Sequence, residues 1–266
     1  MNEKTLRAAL RDLPLGGLRY YPQLGSTNDA ALAWASAEAP DLSLVVAEEQ
    51  TAGRGRLGRK WITPPGAALA FSMIFRPQPV ERNVIPLYSG LGALAVVIAL
   101  EESYGLKPEI KWPNDVLLGG RKLCGILAET VWLGEQAESV VLGIGLNVSA
   151  EAVPEVGSLD FPATSLNAAV GASVERIALL HAILAALLAW RPRLGSAEFI
   201  QTWERRLAYR GEQVQVWSEA FAGVEGMPVR TGQVEGLEYD GSLRLRSARG
   251  ETFSVRFGEI HLRPVV

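Results

Sequence analysis

Apolar positions along this chain follow two rhythms, and the change between them falls near residue 210. Upstream they come in blocks. Residues 4–12 predict a short helix closed by Pro14, Gly16 and Gly17, and residues 18–23 predict a strand. Ser26-Thr27-Asn28-Asp29 has the form of a helix start and leads into an alanine-rich stretch ending at Ala39. The apolar, β-prone runs 42–48 and 67–75 predict two more strands, and 85–103 predicts a long helix ended by Gly105 and Pro108. Short strands follow around Ile110 and over 116–118, 123–131 and 139–148, with Gly119-Gly120 as a tight turn. Two helices close this part, 174–190 with Ser173 as N-cap and 196–207 with Ser196 as N-cap.

Downstream of Gly211 the rhythm becomes strict alternation. Gln213-Val214-Gln215-Val216-Trp217, Ser242-Leu243-Arg244-Leu245-Arg246 and Phe253-Ser254-Val255-Arg256-Phe257 read as short strands, with turns at Asp240-Gly241 and Arg249-Gly250. That spacing predicts a small β-barrel or sandwich. The boundary is expected at 209–211, giving units 1–209 and 210–266, with no repeats and no low-complexity segment.

Composition supports this division. At 266 residues and 48% hydrophobic content, the chain can bury one large core and a smaller one, and it is not disordered. Lys and Arg total 26 against 29 Asp and Glu, which excludes a general polyanion binder. Cys124 is the single cysteine, so no intramolecular disulfide forms. The start lacks a basic-then-apolar leader, and the longest predicted apolar helix, 177–190, is shorter than the ~20 residues that span a bilayer. A soluble, cytoplasmic protein with no membrane partner is expected. With two histidines and one cysteine, any metal is expected to be a hard cation on oxygen ligands, such as magnesium.

Four segments carry candidate chemistry. Gly53-Arg54-Gly55-Arg56-Leu57-Gly58-Arg59-Lys60-Trp61 follows a strand and joins free backbone to forked donors, which suits an anion cradle. It has neither the P-loop ending nor the dinucleotide fingerprint; a solvated basic loop and a nucleic-acid patch are the other readings. Lys111-Trp112-Pro113-Asn114-Asp115 sets a cation, an amide and a carboxylate at a strand end, where an Asx-type turn is the alternative. Gly120-Arg121-Lys122-Leu123-Cys124-Gly125-Ile126-Leu127-Ala128-Glu129 brings a basic pair into a buried strand, with Cys124 expected in the core. Gly143-Ile144-Gly145-Leu146-Asn147 has two glycines in a strand, marking a close approach by another strand or a ligand.

Together with Ser26-Thr27-Asn28 and Gln50, these segments in this order resemble the biotin protein ligases, also called biotin–[acetyl-CoA-carboxylase] ligases. The likeness is strong from Tyr20 to Asn147. It continues more loosely through Trp203-Glu204 and Gly258-Glu259-Ile260-x-Leu262-Arg263. It implies an α+β fold in which a mixed β-sheet catalytic domain, of the class II aminoacyl-tRNA synthetase-like type, carries a small SH3-like C-terminal barrel. It implies ATP-dependent formation of biotinyl-5′-AMP, then transfer of biotin to a lysine of a biotin carboxyl carrier protein of an acyl-CoA carboxylase.

Carried over by position, the resemblance places Ser26, Thr27, Asn28, Gln50, Arg54, Gly55 and Arg56 around biotin, with the basic loop mobile when empty. Lys122 lies beside biotin's carboxylate and, with Arg56 and Lys111, is the catalytic set. Lys111, Asn114 and Asn147 face ATP, and Asp115 faces Mg2+. Trp61 either orders the loop or covers the ligand. Biotin and ATP are substrates, and no tightly bound organic cofactor is implied. Only residues 1–17 precede the first predicted strand, so a helix-turn-helix head and specific DNA binding are not expected. Homodimer formation stays open. The alternative functions are a lipoate–protein ligase and a non-catalytic biotin-sensing co-regulator.

Overall fold

A seven-stranded mixed sheet organises the larger part of the computed structural model, which describes residues 1–61, 63–154, 161–218, 230–256 and 260–264. After α1 (Glu3–Ala9), its strands are β1 (Gly17–Tyr21), β2 (Ser43–Ala47), β3 (Ala68–Phe75), β4 (Glu109–Lys111), β5 (Asp115–Leu118), β6 (Arg121–Leu133) and β7 (Gln136–Asn147). Their order is β1-β2-β3-β7-β6-β5-β4, with β1 and β2 parallel and every other pair antiparallel.

The unbroken apolar runs are explained by cover on both faces. Every residue of β2 and β3 is buried. Val45 and Ile74 face the alanines of α2 (Thr27–Ser36), while Leu44, Val46, Phe71 and Met73 belong to the main core with α3 (Tyr88–Tyr104). A strand sandwiched between helices has no solvent side to mark with polar residues. Helix α3 is apolar all round for the same reason, since it packs between the sheet and α5 (Arg176–Trp190). From Pro79 to Tyr104 the chain is long and apolar enough to cross a membrane, but 72% of its most apolar window is buried inside the fold. At 17 residues, α3 is longer than the 15-residue α5 that contains the predicted longest apolar helix, 177–190.

Local signals placed several ends. Gly105 caps α3 at φ 64°, and Gly119 and Gly120 take φ 57° and 70° in the two-residue β5–β6 turn. Ser196 accepts from the Phe199 N–H at 3.1 Å to cap α6 (Ala197–Glu204). Other ends differ from expectation. Glu175, not Ser173, caps α5, its carboxylate accepting from the N–H groups of Ile177 and Ala178 at 3.2 and 2.6 Å. Ser26 occupies the N-cap position of α2 but makes no capping bond through its side chain. Pro79–Leu87 is a 3₁₀ segment before α3, and the five-residue helix α4 (Leu166–Val170) was not expected.

The second sheet holds β8 (Gln213–Ser218), β9 (Arg230–Leu237), β10 (Leu243–Arg246), β11 (Thr252–Val255) and β12 (Ile260–Pro264), in the order β11-β10-β9-β8-β12. All its pairings are antiparallel. Among the described residues no pairing joins β11 to β12, which stand at opposite ends of the sheet. Phe257, Gly258 and Glu259 of the sequence motifs lie outside the described residues. Two polar contacts, one buried and one half-buried, dock this sheet on the larger part. The Trp112 indole donates to Gly241 O at 3.0 Å, and Glu204 accepts from the Leu237 N–H at 2.8 Å.

Helix packing depends on one missing side chain. A Cβ on Gly90 of α3 would lie 2.3 Å from the Trp203 ring on α6. Gly90→Ala is therefore expected to cost about 1–3 kcal/mol through overpacking. Thermal unfolding of the variant checks this; an unchanged midpoint would contradict the packing.

Candidate active site

Residues from six separate segments line one cleft, which opens where β5, β6 and β7 meet the basic loop. The loop is folded on itself as a small hairpin. Gln50 bridges to Thr63 and Arg54 to Lys60, the Gly55 N–H reaches Arg59 O at 2.7 Å, and the Trp61 N–H reaches Gly53 O at 2.8 Å. A 3₁₀ turn, Arg56–Gly58, forms the tip. Glycine is required at 53, where a Cβ would sit 2.4 Å from Trp61 O.

One end of the cleft is a network of hydroxyl and amide groups with the Glu129 carboxylate behind it. Ser26, Thr27 and Asn28 are all buried at the start of α2. Gln50 Oε1 accepts from the Thr27 N–H at 2.7 Å and from its hydroxyl at 3.0 Å, while Gln50 Nε2 donates to Thr63 at 3.1 Å. The Ser72 hydroxyl lies 2.8 Å from Thr27 Oγ1 and 2.6 Å from Asn28 Oδ1. Asn28 Nδ2 donates to Leu127 O at 3.2 Å and to Glu129 at 2.7 Å. These donors and acceptors are oriented before any ligand arrives.

The other end is charged. Lys122 Nζ lies 2.5 Å from Asp115 Oδ1, and Lys111 Nζ lies 3.9 Å from Oδ2 of the same carboxylate. Lys111 sits over the Phe161 ring at 4.3 Å. Asn114 does not close an Asx turn. Its amide donates to Ile126 O at 2.8 Å across the sheet, and its Oδ1 accepts from Arg56 at 3.4 Å. Asn147 donates to Thr164 O at 3.1 Å.

Between the two ends lies Trp61. Its ring rests on Gly145 and Gly125, where added Cβ atoms would fall 2.4 and 3.2 Å away, and Lys122 stands 5.8 Å from its centroid. The strand glycines thus admit side chains, Trp61 at 125 and 145 and Asn28 at 143, rather than a neighbouring strand. The Trp61 Nε1–H is buried with no protein partner.

All twelve sequence-predicted site residues line this cleft: Ser26, Thr27, Asn28, Gln50, Arg54, Gly55, Arg56, Lys111, Asn114, Asp115, Lys122 and Asn147. Arg54 differs from the others in its partners. Its guanidinium forks onto Glu129 at 3.0 and 2.9 Å and reaches Asp29 at 2.6 Å, so much of its charge is already matched. The magnesium ligand set fits poorly. Asp115 is paired to lysine, and the described residues hold no group of three or more His, Cys, Asp or Glu side chains able to bind a metal. That is not a protein-built magnesium site. Sequence reasoning missed Ser72, Glu129 and Phe161. Ser72 had a signal, as the lone polar residue in the apolar run of β3.

Comparison with known proteins identifies the family. Residues 20–147 match the model of the biotin/lipoate A/B protein ligase family. A biotin–[acetyl-CoA-carboxylase] ligase of Paracoccus denitrificans is 35% identical over 85% of this chain and 92% of its own length. The chain belongs to the biotin/lipoate A/B protein ligase family. Within that family, the bifunctional ligase/repressor BirA of Bacillus subtilis is 38% identical over 69% of this chain, which spans 57% of the length of that relative. The biotin protein ligase of Aquifex aeolicus, solved in complex with biotin and ATP, superposes with a TM-score of 0.78. It is 29% identical, over 94% of this chain and 99% of that one.

Cys124 of this ligase-family chain lies two residues from Lys122 but is fully buried on β6. Burial disfavours the thiolate and pushes the thiol's pKa well up, outweighing the opposing pull of Lys122. At pH 8 the folded chain should therefore react with iodoacetamide at least about 100-fold more slowly than the urea-unfolded chain. Equal labelling rates would contradict the burial.

Proposed function

We propose that this protein is a biotin–protein ligase that activates biotin with ATP and passes it to a lysine of a biotin carboxyl carrier protein. The observation that carries the reading is the two-ended cleft. Neutral groups from Ser26, Thr27 and Gln50 stand at one end and Lys111 and Lys122 at the other, with the Trp61 ring between them. That layout matches a ligand with an uncharged cyclic urea head, an apolar chain and a carboxylate. The family match and the biotin- and ATP-bound structural neighbour support it.

In the first step a biotin carboxylate oxygen attacks the α-phosphorus of ATP. A C–O–P link forms, the bond to the β-phosphate bridging oxygen breaks, and pyrophosphate leaves. Two anions must meet, so the barrier falls where cations are already in place. Lys122 on β6 would stand beside the carboxylate and then the acyl phosphate, exchanging Asp115 for the ligand. Arg56 at the hairpin tip would cover the adenylate, and Lys111, Asn114 and Asn147 would receive the nucleotide. Magnesium supplied with ATP would offset phosphate charge, and no residue of this chain is assigned to it. In the second step the carrier lysine's amine attacks the acyl carbon, a C–N bond forms, the C–O bond to phosphate breaks and AMP departs. Closure of the hairpin would keep water from the mixed anhydride until then.

The same reading assigns residues 1–209 to a catalytic unit and 210–266 to an SH3-like unit that supports the nucleotide corner through Trp112, in a cytoplasmic enzyme. Incubating the chain with ATP, magnesium and either biotin or lipoate tests it. Pyrophosphate release with biotin alone is expected; release with lipoate alone would replace the reading. Lys122→Ala should lower adenylation by at least about 100-fold, and a wild-type rate would remove Lys122 from the step. Arg56→Ala should speed escape of biotinyl-AMP about 10-fold or more while carrier docking stays intact. Unchanged escape would count against the loop's role.

A further inference from the structure

We propose that Glu129 is a positioning residue that sets the basic hairpin and the Thr27–Asn28 end of the cleft together through one carboxylate. Glu129 stands on β6, seven residues beyond Lys122. Its Oε1 accepts from Arg54 Nη1 at 3.0 Å, and its Oε2 accepts from Arg54 Nη2 at 2.9 Å and from Asn28 Nδ2 at 2.7 Å. A fork on a fork fixes both the position and the plane of the guanidinium, which a single contact does not. Arg54 Nη2 also reaches Asp29 on the first turn of α2 at 2.6 Å, closing a ring through the hairpin, α2 and β6. Asp29's side chain is 57% exposed against 26% for Glu129, so water screens that outer pair more and Glu129 carries the join.

Asn28 transmits the effect. Its second N–H goes to Leu127 O at 3.2 Å, its Oδ1 lies 2.6 Å from the Ser72 hydroxyl, and a Cβ on Gly143 would come within 2.0 Å of that oxygen. With both amide N–H groups committed and no slack behind it, Asn28 holds the backbone of Thr27 in register rather than presenting a donor to a ligand. The Thr27 N–H in turn fixes Gln50 Oε1 at 2.7 Å, at the base of the same hairpin. Moving Glu129 therefore disturbs the neutral end of the cleft from two sides. Neither side involves Lys111 or Asn147.

The coupling rests on geometry alone, while its kinetic consequence rests on the biotin-ligase reading, so the test has two arms, both on the 266-residue chain. The first is hydrogen exchange without ligand in wild type, Glu129→Gln, Arg54→Gln and the double variant. Glu129→Gln should speed exchange about 5- to 10-fold at the Gly55, Trp61 and Thr27 amides, and the double variant should be no faster than the faster single. Unchanged exchange, or effects that simply add, would overturn the proposal.

The second arm follows pyrophosphate release with biotin and ATP. Glu129→Gln should raise the KM for biotin and the rate of biotinyl-AMP loss by a similar factor, with the KM for ATP held within about twofold. A parallel rise in both KM values with a lowered unfolding midpoint would mark a merely structural role and overturn it. If the wild-type chain releases no pyrophosphate with biotin, the ligase reading falls, and the exchange arm still decides the coupling.

Discussion

Gly125 and Gly145 face each other across the β6–β7 pair, and the two missing Cβ atoms leave a trough in the sheet that the Trp61 ring fills. Two residues along, Leu127 faces Gly143, and there the gap admits the Asn28 carboxamide. A strand pair normally presents a continuous layer of side chains. This one gives way at two places to groups from elsewhere in the chain. The hairpin's path, the start of α2 and the separation of the two ends of the cleft all depend on that gap. Any side chain larger than hydrogen at 143 or 145 would push out Asn28 or Trp61, and with it the neutral end or the middle of the site.

Charge is arranged just as locally. Residues 53–60 hold four of the chain's 26 cations and no acid, leaving 22 against 29 elsewhere. Within the fold this positive run is not uniform. Arg54 is matched by Glu129 and Asp29, whereas Arg56 meets the amide oxygen of Asn114. Lys111 and Lys122 share the single carboxylate of Asp115. On the proposed reading, an incoming phosphate would replace Asp115 at the two lysines, whose ammonium groups are already partly out of water.

Sequence alone reached most of this wherever a local rule decides the outcome. The apolar runs of β2 and β3, the Gly105 stop, the Gly119-Gly120 turn and the Ser196 cap each depend on a few neighbouring residues. The order of the segments carried the resemblance, the resemblance named the site residues, and all twelve of them line the cleft. What escaped depends on distant contacts. Ser72 matters because α2 lands on β3, and Glu129 because the hairpin folds back across β6, a join of residues 75 apart in sequence. The cap of α5 moved because Glu175 reaches its first-turn amides, a choice among adjacent polar residues that spacing does not settle. Trp61 was undecidable in advance, since its place follows from the glycine trough and not from its own segment.

The contact from the Trp112 indole to Gly241 O has a consequence for modularity. The change in sequence rhythm near residue 210 suggests two parts that could be separated or exchanged. Yet Trp112 is almost wholly buried, and its donor finds its acceptor on the turn between β9 and β10. Severed from the second sheet, the first would lose the Gly241 acceptor of the Trp112 N–H, two residues before Asn114. The seam visible in the sequence is therefore not a seam in the packing. A change that moves the turn at 240–241 is therefore felt at the corner 111–115 through this one hydrogen bond.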